Sequence, residues 1–368
     1  MKYLLISAAL LISLFSCQNE SNDTTTTNAT VKPIKGGVSG SLPKANGTTG
    51  KILVSIDNSL WNGEIETIFN EKFSDTAQGP YIHYEPVFEY QQEDPSTINR
   101  IRKKNRNFLR IILETGKAYE ETEVIVKKDY KAQGQLYIIF RDSDQQRLTD
   151  FLSKELPTYI ALFNIEEDER LVAKYNLNRN ISFDNTAKEK FGVSISIPQA
   201  AKFIANKDSI IYALDKRVDE KTKNNPKTGA KGGTYWSQKG IMIWESPNEN
   251  ESSFSPITVL SLRDSVLKAN VKGTVVDSYM ATEFAASHKP KIQFTDLNGN
   301  KTMIIEGLWK HDGNVAASGG GPFIQYSIVH PTRKTIVHIS THVFAPRFNK
   351  REYIRQIKAM LNTITLVD

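Results

Sequence analysis

The chain has 368 residues, 39% of them hydrophobic and 24% charged, with 47 Lys and Arg against 41 Asp and Glu. That composition excludes a fibrous or wholly disordered protein, and the length exceeds one small core, so two domains are expected. A net charge of +6 is too modest to demand nucleic acid, although it suits acidic polymers such as anionic glycans.

Lys2 gives the chain a positive start, and Leu4 to Phe15 are apolar apart from Ser7 and Ser13. The stretch is too short for a membrane-spanning helix, which needs about 20 residues, and it fits the apolar part of an export signal. Leu14-Phe15-Ser16-Cys17 then resembles the bacterial lipobox, with Phe15 bulkier than the usual residue there. Residues 1–16 are read on this basis as a lipoprotein signal peptide. Cys17, the only cysteine, becomes the lipidated residue and the anchor in the membrane. Each buried methylene adds about 0.8 kcal/mol, and two or more acyl chains hold stably. Gln18 is not the aspartate that retains such proteins in the inner membrane. The expected location is therefore the outer membrane of the cell envelope, on its periplasmic face or the cell surface.

Residues 17–50 contain seven Thr, five Gly and no aromatic. Such a segment cannot bury enough apolar surface to order itself and is expected to be a disordered tether, about 30 Å from end to end. Within it Asp23-Thr24-Thr25 resembles the O-glycosylation site of Bacteroidetes envelope proteins, which marks Thr24.

Residues 51–180 read as a first α+β domain. Lys51 to Ile56 predicts a strand, and Asp57 or Asn58 can cap the helix that follows. Leu60, Trp61, Ile65, Ile68, Phe69 and Phe73 recur at helical spacing. Strands are predicted at 87–90, 108–113, 124–126 and 136–140. A helical pattern runs from about 143 to 175, and Pro157 is placed to kink or split it. Residues 181–368 read as a second α+β domain. Its predicted strands lie at 193–198, 210–214, 240–244, 291–295, 303–309, 323–329 and 335–343. Its helices start at Ser255-Pro256 and at Asn349. The fold class is α+β: two α+β domains of mainly antiparallel sheet with packed helices.

Several segments carry a family resemblance: Ser278-Tyr279-Met280-Ala281-Thr282-Glu283, Gly307-Leu308-Trp309-Lys310, Gly320-Gly321-Pro322-Phe323, Val343-Phe344-Ala345-Pro346 and Lys350-Arg351-Glu352-Tyr353. With Ser196-Ile197-Pro198, Asn58-Ser59-Leu60-Trp61 and Arg106-Asn107-Phe108-Leu109, they resemble the domain-of-unknown-function 4837 family of Bacteroidetes lipoproteins. The resemblance implies an envelope lipoprotein of two α+β parts and brings no reaction or catalytic residue with it. The element order of the second half also looks like Mog1/PsbP-type α/β sandwiches.

His338 and His342 are four apart among β-branched neighbours. On a strand they sit roughly 13 Å apart, too far to share a metal, and they are expected to be partly exposed. The glycines at 319–321 and 229–233 lack the Lys-Ser/Thr of a phosphate loop. Two basic clusters are candidate contacts for acidic ligands: Arg102, Lys103 and Lys104 with Arg100, Arg106 and Arg110, and Lys227 with Lys231 in the 216–231 stretch. Neither has the interleaved aromatics of a single-strand nucleic-acid binder. Trp236, beside the second cluster, is a candidate stacking face for a sugar, whereas Trp244 and Trp309 lie in predicted strands. No Gly-x-Ser-x-Gly elbow and no metal-ligand cluster occur. The expectation is a lipid-anchored binding or scaffold protein, more a binder than an enzyme, without cofactor, metal or nucleic acid. Its partner would be an envelope protein or an acidic glycan. The alternatives are a glycan- or peptidoglycan-binding module and an envelope enzyme with an unassigned site.

Overall fold

The computed structural model describes residues 42–221 and 233–368, apart from 62, 76, 78, 81, 82, 274 and 315. The expected signal peptide, Cys17, Thr24, Lys227 and Lys231 lie outside the described residues.

The first domain holds β1 (Lys51–Ser55), α1 (Asn58–Trp61), α2 (Glu64–Lys72), β2 (Glu89–Glu93), β3 (Asn107–Leu113), β4 (Glu123–Lys128), β5 (Leu136–Asp142) and α3 (Gln145–Leu177). The expected helix through Phe73 divides at Gly63, whose φ of 88° is outside helical space. Asp144 caps α3 by accepting from the Arg147 N–H, and the helix runs unbroken through Pro157. The strands form one sheet in the order β2-β1-β3-β5-β4. Antiparallel pairing predominates over the whole chain, but β1–β2, β1–β3 and β3–β5 are parallel. The continuous apolar runs of β1 and β5 suit strands that are buried on both faces. One face packs Ile52, Val54, Ile138 and Phe140 under α2 and α3. The other carries a smaller cluster of Leu53, Phe108, Tyr137 and Ile139, with Ile98 and Tyr130 against it.

The second domain contains α4 (Ile181–Phe191), β6 (Val193–Ser194), β7 (Lys202–Lys207), β8 (Ile210–Lys221), β9 (Thr234–Pro247), α5 (Pro256–Asn270) and β10 (Tyr279–Thr282). It continues with β11 (Lys291–Leu297), β12 (Asn300–Asp312), β13 (Gly320–Val329), β14 (Thr335–Phe344), α6 (Arg351–Leu361) and β15 (Thr365–Leu366). The large sheet runs β10-β12-β13-β14-β9-β8-β7, with β11 also on β12. All its pairings are antiparallel. Alternate residues of β14 enter different cores. Val337, Ile339 and Val343 meet α4 and α6. Ile336 meets α5 residues Val259, Leu260 and Leu267 on the far side. The sheet is thus covered on both faces.

The two domains touch at α6. Lys350, the residue before its first turn, supplies no side-chain cap. Instead the buried Glu85 carboxylate of the first domain accepts from the backbone N–H groups of Lys350 and Arg351, each at 2.6 Å. Arg351 Nη1 donates to the Pro86 carbonyl at 2.8 Å. A carboxylate at a helix N-terminus satisfies orphan donors and complements the helix dipole.

Candidate functional site

The two histidines of β14 correct the expectation of partial exposure: His338 is 0% and His342 2% exposed. Both point at α5 from the middle of a sheet covered on both sides. Both ring nitrogens of His338 are engaged by hydroxyls, Nδ1 with Ser327 at 2.9 Å and Nε2 with Ser246 at 3.0 Å. His342 Nε2 lies 3.4 Å from the Tyr212 hydroxyl. Burial pushes each ring down to about 3, helped at His342 by the charge of Arg263. Such rings are neutral and weakly basic at pH 7, which is poor ground for proton transfer. No carboxylate orients either histidine among the described residues, and no three His, Cys, Asp or Glu side chains there converge on a metal position.

Arg263, on α5, has no exposed surface. Burial pulls its guanidinium down to about 10, so it stays charged. It stacks on the Phe323 ring at 3.7 Å and donates through Nη1 to Thr282 Oγ1 at 2.6 Å. Asp264, next along the helix, turns towards solvent. Its Oδ1 accepts from the Thr282 N–H at 2.9 Å, from Thr282 Oγ1 at 2.6 Å and from Arg263 Nη1 at 3.4 Å. Its Oδ2 has no hydrogen-bond partner among the described residues. The carboxylate is therefore held in place through Oδ1.

Asp264 lines a groove of about 510 Å³ between α5 and β10. Ile257, Leu260, Tyr279 and Phe284 give it apolar and aromatic walls, and Asp312 adds a second carboxylate. Ser261 and Lys268 line it along the helix side, as does Ser265, whose hydroxyl donates to the Ser261 carbonyl at 3.0 Å. Ile257 and Phe284 remain largely exposed at the rim, at 84% and 51%. Apolar walls with a few fixed polar groups are the usual make-up of a ligand site, and the volume lies within the usual range. Aromatic faces beside carboxylates and hydroxyls can hold a ring that is apolar on its face and hydroxylated at its edge. Sequence reading missed this groove because its walls come from three separate stretches, around 257–268, 279–284 and 312.

The first basic cluster is divided by the fold. Arg102 pairs with Glu93, and Arg106 pairs with Glu167 at 2.7 Å on the α3 side. Lys103 and Lys104 form no ion pair among the described residues and join residues that the sequence reading passed over. Gln135 Nε2 donates to the carbonyls of Lys103 at 2.9 Å and Asn105 at 2.7 Å, fastening this turn to the β4–β5 hairpin. There Lys127 and Lys131 sit 4.2 and 4.1 Å from the Tyr130 ring centre. Tyr130 makes an edge contact with Tyr137 at 5.1 Å. The Lys131 contact, with the charges of Lys127 and Arg110, holds the Tyr130 phenol below its usual value. The signal available in sequence was the basic and aromatic hairpin Lys127-Lys128-Asp129-Tyr130-Lys131.

Trp236 is half-buried on β9, in the second domain, with Lys216 Nζ 4.2 Å over its ring and Phe344 at 5.2 Å. It is not brought to Lys103 and Lys104. Trp244 and Trp309 are both core residues.

Comparison with known proteins gives two family models and distant structural likenesses. A model described as a domain of unknown function (DUF8532) matches residues 45–176. No curated protein matches the chain. The Ran-binding protein Mog1p of Saccharomyces cerevisiae is similar at 12% identity and a TM-score of 0.29, over 48% of this chain and 91% of that one. The PsbP protein of the cyanobacterium Synechocystis is similar at 9% identity and a TM-score of 0.24, over 45% and 92%. A second model, described as a domain of unknown function (DUF4837), matches residues 180–363. That is half of the chain, and the protein belongs to the DUF4837 family.

Proposed function

We propose that this protein is a lipid-anchored component of the bacterial cell envelope, held at the outer membrane through Cys17, with a non-catalytic binding role. Its ligand is a glycan unit seated in the groove between α5 and β10. The observation that carries this reading is Asp264, whose Oδ1 is held by Thr282 and Arg263 and which lines the groove together with Tyr279, Phe284 and Asp312. A fixed acceptor beside aromatic faces suits hydroxyl or amino groups on a sugar ring. Sealed histidines near 3 weigh against acid–base chemistry in the same domain.

The test is retention of the anchored protein on isolated peptidoglycan sacculi. Asp264→Asn combined with Phe284→Ala removes one charged hydrogen bond and one ring face. Together these cost about 2–4 kcal/mol of binding, at least a tenfold loss of retention. Unchanged retention sinks the glycan assignment. Proximity crosslinking in intact cells that returns a fixed set of proteins, lost in the same variant, would move the groove to a protein partner.

A further inference from the structure

Several cations of the first domain that form no ion pair among the described residues gather where the described chain enters it. Residues 43–46 lie between the turn at 102–104 and the β4–β5 hairpin. The Gln133 N–H donates to the Pro43 carbonyl at 2.8 Å, the Asn46 N–H to the Lys104 carbonyl at 3.0 Å, and Asn46 Nδ2 to the Ile101 carbonyl at 2.9 Å. Residues 18–41 lead from there back to Cys17, a contour of at most about 80 Å. Around this point stand Lys103, Lys104, Arg110, Lys127 and Lys131. None of them forms an ion pair with a carboxylate among the described residues. Tyr130 lies between Lys127 and Lys131 and is half-buried. An aromatic ring with a polar tip suits a water–lipid boundary.

We infer that this face docks on an anionic lipid surface and sets the orientation of the folded body at the membrane. The inference rests on the anchor reading given above, because a lipid at Cys17 keeps the entry point near the bilayer. Four of the five cations are lysines. Compact charges on flexible stems suit laterally mobile headgroups, whereas recognition of fixed carboxylates or phosphates favours arginine forks. Each lysine near an anionic leaflet favours the docked state roughly fivefold, and the attraction fades beyond about one Debye length.

The experiment uses the full chain reconstituted into phosphatidylcholine vesicles with or without phosphatidylglycerol. A fluorophore is placed on Gln133→Cys, beside the basic face, or on Glu249→Cys in the second domain, and headgroup-labelled quencher lipid is added. We expect strong quenching at position 133, little at 249, dependence on phosphatidylglycerol, and loss at high salt. Lys103→Gln with Lys127→Gln and Lys131→Gln should lower the docked population about a hundredfold, from roughly fivefold per lysine. The corresponding Lys→Arg variant should keep it. Equal quenching at both positions, or none with phosphatidylglycerol present, overturns the inference. So does binding to heparin, as a soluble sulfated glycan, with no response to anionic vesicles. The anchor reading fails separately, through thiol labelling of Cys17 in the unmodified chain and release of the protein from vesicles at high salt.

Discussion

His338 and His342 make the stability of the second domain depend on pH. An unfolded histidine titrates near 6.5, and these two are pushed by burial to about 3 in the folded chain. Between those values the unfolded chain binds more protons, so their contribution is complete above pH 6.5 and falls as pH drops towards 3. At 1.36 kcal/mol per unit the contribution reaches at most about 5 kcal/mol per ring. Burial raises the carboxyls of Asp142 and Asp184, but hydrogen bonds and cations outweigh it and leave both below the usual value. Their loss comes at lower pH; burial raises the Asp168 carboxyl, which offsets part of the fall, and from about 6.5 to 4.5 the two histidines set the direction. Denaturant midpoints read by tryptophan emission should fall steadily across that window. A flat profile would mean that the rings are hydrated. Gly240 gives a second test, because a Cβ there would lie 1.9 Å from His342 Cε1. Gly240→Ala must displace the ring or the strand, at a cost of about 1–3 kcal/mol. An unchanged midpoint would show that the ring moves freely. The β-branched neighbours of the histidines announced a strand, but not that both of its faces would be covered. Residue spacing alone therefore left both histidines looking half-exposed.

Most strands and the helices α3, α5 and α6 were legible because each carries its period locally. Helix α4 was not. Its buried Phe183, Ala187 and Phe191 do recur every four residues, but Asp, Asn and Lys between them blur the apolar stripe. The pairing order of the first sheet was not legible either, since parallel partners meet only through distant segments. The clearest such case is the cap of α6. Nothing beside Lys350 in sequence does this work, and Glu85 supplies it from 265 residues away. Glu85→Ala leaves two N–H groups without their acceptor and removes a negative charge from the helix start. The expected cost is about 1–2 kcal/mol, with Glu85→Gln recovering part of it. Hydrogen exchange should locate the loss in the first turn of α6 and at the contact between domains. Protection unchanged at Lys350 and Arg351 would show that other groups cap the helix.

At the scale of the whole molecule, the proposed function and the docking inference join three features in one arrangement: a lipid at Cys17, a basic face at the entry to the first domain, and a groove in the second. Sequence raised the first as an expectation, found Lys103 and Lys104 of the second, and could not assemble the third from separated stretches. The two proposed membrane contacts differ in physical kind, and that difference makes them separable. Acyl chains act through apolar burial, which salt does not weaken. Lysines act through charge, and the Debye length falls from about 10 Å at 0.1 M salt to 3 Å at 1 M. Cys17→Ala should therefore convert a protein that resists high-salt washing of envelope membranes into one that is released by it. At low salt a remnant should stay bound through the basic face, and adding Lys103→Gln, Lys127→Gln and Lys131→Gln should release that remnant too. Immunoblots of washed membranes read all four states. Continued resistance of Cys17→Ala to salt would place the anchor elsewhere in the chain. Full release at low salt from Cys17→Ala alone would leave the basic face without a part in membrane association.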